Sequence, residues 1–196
     1  MIKTIVFDLD GVLIDAKDWH YEALNRALGH FGYTITRVEH LTIYDGISTK
    51  EKLIKLGVPE SLREMIAELK RIYTRELVRL KTKPDYSKIM MLAHLKKRYK
   101  LGCGSNAQKY SVLEMLELAE IKDCFDEIIG NDEGFPNKPD PAIYLELMKR
   151  LKVKPKECLI VEDNKYGIEA ARASGAKVIE VKDYNDVDLG LFMDYL

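Results

Sequence analysis

Five short apolar runs punctuate the chain: Thr4–Phe7, Lys100–Cys103, Glu127–Ile129, Leu159–Val161 and Lys177–Val181. They lack a regular polar alternation, which suits strands covered on both faces. Between them the pattern changes to helical period. Ile89, Leu92, Leu95 and Tyr99 line one face, Val112, Met115, Leu116 and Ala119 a second, and Leu145, Met148 and Leu151 belong to a third helix. Strands alternating with helices predict an α/β protein: a doubly wound, parallel five-stranded sheet with right-handed crossovers.

Residues 8–99 break this rhythm, because no convincing strand occurs among them. Helices are expected at Lys17–Phe31, Thr49–Leu56 and Leu62–Lys81, the last carrying Leu62, Met65, Ile66, Leu69, Ile72, Leu77 and Leu80 at suitable spacing. A single crossover needs far fewer residues, so the pattern predicts a helical insertion after the first strand. It leaves near Asp15 and returns near Thr82–Pro84, which gives a core of 1–14 and 83–196 and an inserted helical unit of 15–82.

Composition narrows the class. With 46% hydrophobic and 32% charged residues the chain is too apolar to be disordered. Its 31 Lys and Arg nearly balance 32 Asp and Glu, so no basic excess invites nucleic acid or an anionic membrane. No segment reaches the roughly 18 apolar residues of a membrane span, and the N-terminal MIKTIVFDLD does not read as a signal peptide. Cys103, Cys124 and Cys158 form no metal spacing with the four histidines. A reduced, cytoplasmic protein is expected. The oligomeric state is left open.

The chemistry sits where apolar runs end. Ligands of doubly wound sheets bind beyond the carboxyl ends of strands, and Asp8 and Asp10 follow the first run in Phe7–Val12, FDLDGV. Two carboxylates so close repel unless a cation lies between them, and hard oxygen ligands suit Mg2+. A carboxylate can also attack phosphorus and carry the phosphoryl group, while a second acid protonates the leaving oxygen. After the second run, Ser105 and Asn106 precede a helix expected from Ala107, a ready anion site. Lys138, in Asn137–Pro141, follows the third and could neutralise a phosphoryl group. Glu162 and Asp163 close the fourth and repeat the metal logic. Each has a plainer reading alone: an acidic turn, a helix cap, a loop lysine, surface acids. Their conjunction at four equivalent strand ends points to phosphoryl transfer.

These elements, in this order, resemble the haloacid dehalogenase superfamily. The resemblance spans Ile2 to about Val181: FDLDGV resembles the first motif, Ser105 the second, Lys138 in NKPDP the third, and VEDNKYGIEAARASGA the fourth. It implies a Rossmann-like core with an α-helical cap in the insertion, cap closure over the site, and Asp8 as nucleophile with Asp10 as acid/base. It further implies Mg2+ held by the side chains of Asp8 and Asp163 and the backbone carbonyl of Asp10, assisted by Glu162, with Ser105, Asn106 and Lys138 at the phosphoryl group. In the cap, His20, Gly46 and Lys50 become candidates for substrate contact.

Within the capped group the resemblance leaves two activities. One is hydrolysis of a small phosphorylated metabolite. The other is phosphate transfer within a sugar phosphate, as in β-phosphoglucomutase. Thr49 stands where the mutase has an arginine, and Ala16 where it has a threonine, which favours the phosphatase. A non-catalytic relative binding a phospholigand or a protein is the alternative of another class; the complete set Asp8, Asp10, Ser105, Lys138 and Asp163 speaks against it.

Overall fold

The computed structural model describes residues 1–195. Strands β1 (Thr4–Phe7), β2 (Lys100–Gly104), β3 (Glu127–Ile129), β4 (Cys158–Glu162) and β5 (Lys177–Glu180) form one sheet in the order β3-β2-β1-β4-β5. Every pairing is parallel. Thr4 to Phe7 of β1 lie opposite Lys100 to Cys103 on one side and Cys158 to Val161 on the other. β1 is therefore central, and its four residues are all buried. Burial on both faces is why it reads as a continuous apolar run.

The helices are α1 (Lys17–Gly29), α2 (Arg37–Thr42), α3 (Thr49–Lys55), α4 (Glu60–Lys81), α5 (Tyr86–Lys96), α6 (Lys109–Leu118), α7 (Ala142–Leu151) and α8 (Lys165–Ala173). On one face of the sheet, Val6, Cys158 and Ile160 pack with Ile143, Tyr144, Leu147, Met148 and Leu151 of α7 and Ala170 and Ala171 of α8. Phe7, one residue on from Val6, points to the opposite face. Its ring meets Phe125 and Phe192 edge-on, with centroids 6.3 and 5.9 Å away. Glycine on β2 lets α7 approach: a Cβ at Gly104 would lie 2.8 Å from Leu147 Cδ1.

By contacts the chain divides into two compact units, Ala16–Lys81 and the remainder, Met1–Asp15 with the chain from Thr82 onward. The inserted unit packs α1 against α4 around Leu24, Leu28, Ile35, Leu53, Val58 and Ile66. Two of its short helices start with reciprocal caps, Thr36 with Glu39 and Ser48 with Glu51.

Several local expectations shift. α2 has no counterpart among the expected helices, since six residues are too few to show a period, although T-x-x-E at Thr36–Glu39 is a helix-start signal. In α4 the buried residues are Ile66, Leu77 and Val78, while Met65, Ile72 and Leu80 are exposed. This long helix meets chiefly α1 and α3, so its covered stripe is narrower than its apolar positions suggest. Leu145 likewise stands outward on α7. Cys103 and Cys158 are buried, Cys124 is half-buried, and all three are free. No described helix is long and apolar enough to cross a membrane.

Candidate active site

Asp8 continues the sheet by one bond beyond β1, its N–H donating to Val161 O at 3.0 Å. The chain then curls back. Leu9 O accepts from the N–H groups of Leu13 and Ile14, each at 2.9 Å, and Gly11 donates to Ile14 O at 2.7 Å. Gly11 takes φ 84°, a left-handed conformation that glycine adopts without strain. This closed turn carries Asp10 past the strand end while Asp8 stays buried at it.

At the end of β2, Ser105 N–H donates to Ile129 O at 3.1 Å, and its buried hydroxyl oxygen accepts from Ala107 N–H at 3.0 Å. α6 starts at Lys109, two residues later than expected. Asn106, read from the sequence as a phosphate group contact, clasps the Lys138 peptide. Its Oδ1 accepts from Lys138 N–H at 3.0 Å and its Nδ2 donates to Lys138 O at 3.5 Å.

Lys138 is not a solvated loop residue; it is 7% exposed. Its Nζ donates to Asp8 Oδ1 at 2.5 Å, Glu162 Oε1 at 2.7 Å and Gly104 O at 2.9 Å. An ammonium has three N–H groups, so each has an acceptor. Glu162, the last residue of β4, is fully buried. Its Oε1 also accepts from the Tyr144 hydroxyl of α7, and its Oε2 accepts from Asp163 N–H at 3.2 Å. A Cβ at Gly167 of α8 would fall 2.0 Å from Glu162 Oε1, so the carboxylate occupies room that only glycine leaves. Carboxylate oxygens of Asp8, Glu162 and Asp163 all lie within 4.8 Å of one another.

Residues 5–181 match the family described as haloacid dehalogenase-like hydrolase. The chain belongs to that family. A phosphorylated carbohydrates phosphatase of Thermotoga maritima is 31% identical over 186 residues, covering 91% of this chain and 84% of that protein. A phosphoglycolate phosphatase of Aquifex aeolicus is 31% identical over 177 residues, covering 90% and 83%. Among solved structures, a beta-phosphoglucomutase of Clostridium difficile matches with a TM-score of 0.83 at 25% identity, covering 99% of this chain and 96% of that one.

In this haloacid dehalogenase-like hydrolase the strand-end cluster is electrostatically unbalanced. Asp8, Glu162 and Asp163 are three acids beside one ammonium. Burial pushes the Asp8 carboxyl well above the usual carboxylate range; Lys138 pulls it down, and Glu162, Asp163 and Asp10 push it up again. Burial disfavours the Lys138 charge, yet Asp8 and Glu162 outweigh it and raise its pKa. Hard carboxylate oxygens with surplus negative charge are the donor set a divalent cation takes, so the residues fit a metal.

The sequence missed Tyr144 and Gly167. Tyr144 reads as one more apolar residue on a core helix, and only its hydroxyl marks it. A glycine inside α8 was a signal, because it costs helix stability and so calls for a packing reason. The inserted unit, taken by itself, holds the other candidates. His20 lies half-buried on α1, Gly46 sits in a turn with φ 72°, and Lys50 is exposed on α3. Lys52, two residues along, is the half-buried lysine there, and burial lowers its pKa.

Proposed function

We propose that this protein is a Mg2+-dependent phosphatase that hydrolyses a small phosphorylated metabolite through an aspartyl-phosphate on Asp8. The observation that carries the reading is the buried Lys138 ammonium bonded at once to Asp8 and Glu162 at the carboxyl end of the sheet. Phosphoryl transfer needs little covalent help from a protein and much positioning and charge. The similarity to phosphatases of phosphorylated carbohydrates and of phosphoglycolate directs the substrate search to those classes.

In the first step an Asp8 carboxylate oxygen bonds to phosphorus and the bond from phosphorus to the ester oxygen breaks. Asp10 gives its proton to the departing oxygen. In the second step Asp10 takes a proton from water, whose oxygen bonds to phosphorus as the Asp8–phosphorus bond breaks. Inorganic phosphate leaves and Asp8 is regenerated. Lys138 faces the charge that builds on the phosphoryl oxygens, and Ser105 offers its hydroxyl to them. Asn106 contributes by fixing the Lys138 backbone. The side chains of Asp8 and Asp163 with the carbonyl of Asp10 would hold Mg2+, which supplies positive charge where the acids crowd. Glu162, expected as an aid to metal binding, has one oxygen already given to Lys138 and Tyr144.

The division into a catalytic core, 1–14 with 83–196, and a substrate-selecting cap, 15–82, belongs to this proposal, with His20, Gly46 and Lys50 as cap candidates. The likeness to a beta-phosphoglucomutase favours phosphomutase as a second reading. Release of inorganic phosphate from an aryl phosphate, with and without Mg2+, tests the first. Turnover is expected only with Mg2+, and Asp8→Asn is expected to reduce it to background. Undiminished turnover in Asp8→Asn would sink the covalent mechanism. Silence on aryl and metabolite phosphates, with isomerisation of a sugar phosphate primed by a bisphosphate, would select the mutase.

A further inference from the structure

Lys138 has three anchors, and the proposed chemistry removes one of them. In the resting site Asp8 and Glu162 share its charge at 2.5 and 2.7 Å, and Gly104 O takes the third N–H at 2.9 Å. Once Asp8 is esterified by phosphorus it loses its formal charge. Glu162 is then the remaining ionic anchor. Its position is set from two sides: Gly167 leaves the space for the carboxylate, and the Tyr144 hydroxyl donates to the oxygen that Lys138 also uses. The Tyr144 ring also lies 4.8 Å from Lys138 Nζ, so one side chain touches both partners.

We infer that Tyr144 is a positioning residue of the phosphoryl site, holding Glu162 on Lys138 so that the ammonium stays aimed at the phosphoryl group after Asp8 has reacted. The inference rests on the phosphatase reading and names a member of that site which neither the sequence motifs nor the family match points out. The role is sharpest in the transition states and the covalent intermediate, where Asp8 no longer anchors the lysine. Substrate capture, with Asp8 still charged, depends on it less.

The test is a double-mutant cycle on the Mg2+-loaded protein with Tyr144→Phe, Glu162→Gln and the pair, using an aryl phosphate. Tyr144→Phe keeps the ring, and a thermal unfolding scan confirms the fold of each variant. Its kcat is expected to fall about tenfold, the worth of one hydrogen bond to a charged group, with KM within about twofold. Glu162→Gln should fall further, and adding Tyr144→Phe to it should cost little more, since the hydroxyl acts through that carboxylate. Vanadate inhibition should weaken in the same non-additive way. Effects that multiply, or a KM change without a kcat change, would overturn the inference. Should Glu162→Gln not fold, Tyr144→Phe alone decides by its kcat and vanadate inhibition. The two levels of argument separate cleanly: an active Asp8→Asn removes the aspartyl-phosphate mechanism on which the inference rests, whereas an inactive Asp8→Asn with multiplying effects removes only Tyr144.

Discussion

At the scale of single residues, Gly167 opposes two physical effects whose signs differ. In the first turn of α8 it costs the helix at most the about 1 kcal/mol that a mid-helix glycine costs relative to alanine. An added Cβ, however, would lie 2.0 Å from Glu162 Oε1 and 2.1 Å from its Cδ. Glu162 cannot swing aside cheaply, because Lys138, Tyr144 and Asp163 N–H all hold it. Gly167→Ala is therefore expected to lose about 1–3 kcal/mol of stability, the usual cost of overpacking, and to lower kcat with it. Urea denaturation reads the sign: a gain in stability would show that helix propensity outweighs the clash. Asp8, Ser105, Lys138 and Asp163 stand out in the sequence as candidates because chemical types suited to phosphoryl transfer recur at strand ends, and the structure places Asp8, Lys138 and Asp163 around one carboxylate cluster. Tyr144 does not, because an aromatic on a core face looks the same whether or not its hydroxyl has a task.

At the scale of elements, α2 carries a pH dependence that the sequence did not announce. His40 is 3% exposed, and its Nδ1 has no hydrogen-bond partner among the described residues. Burial lowers its pKa to about 4, helped by Lys52 of α3, His20 of α1 and Lys70 of α4, and opposed by Asp18 of α1. The unfolded chain binds a proton near pH 6.5 and the folded one only near 4, so between those values the unfolded state holds more protons. The neutral imidazole thus contributes its full stability above pH ~6.5 and loses it as the pH falls towards 4, a contribution of about 3 kcal/mol at most. Unfolding midpoints measured from pH 7 to 4.5 should fall more steeply for the parent than for His40→Phe. Parallel curves would show that His40 is not buried neutral. An exposed-looking histidine in a six-residue helix gives no sequence cue to this, because the groups that act on it, Tyr21 and His20 of α1, Lys52 of α3 and Lys70 of α4, come from other helices.

At the scale of the whole molecule, the proposed cation site at the strand ends predicts that a bound metal adds to stability. A metal that binds the folded chain alone stabilises it by roughly 2.7 kcal/mol at a hundredfold excess over its Kd. Mg2+ is therefore expected to raise the melting temperature by several degrees, and EDTA to reverse the shift. Asp163→Asn removes one proposed ligand and leaves the Lys138 anchors in place, so most of the Mg2+ shift should vanish while the metal-free melting temperature changes little. An unchanged shift in Asp163→Asn would place the ion elsewhere.

The sequence by itself determined the alternation of strands and helices, the parallel five-stranded sheet and the strand ends at which chemistry gathers. These follow from local causes: a strand buried on both faces must be continuously apolar, and a helix with one covered face must repeat at its own period. Tertiary structure alone decided what those residues do to one another. Asn106 holds the Lys138 backbone, and Lys138 is buried where it bridges Asp8 and Glu162. Met65, Ile72 and Leu80 proved exposed, although their spacing along α4 matched a buried stripe. The reason is common to all of these. Periodicity fixes which side of an element is apolar, whereas the partner that each side chain meets comes from a distant part of the chain, as Tyr144, Glu162 and Gly167 do when α7, β4 and α8 close on one carboxylate.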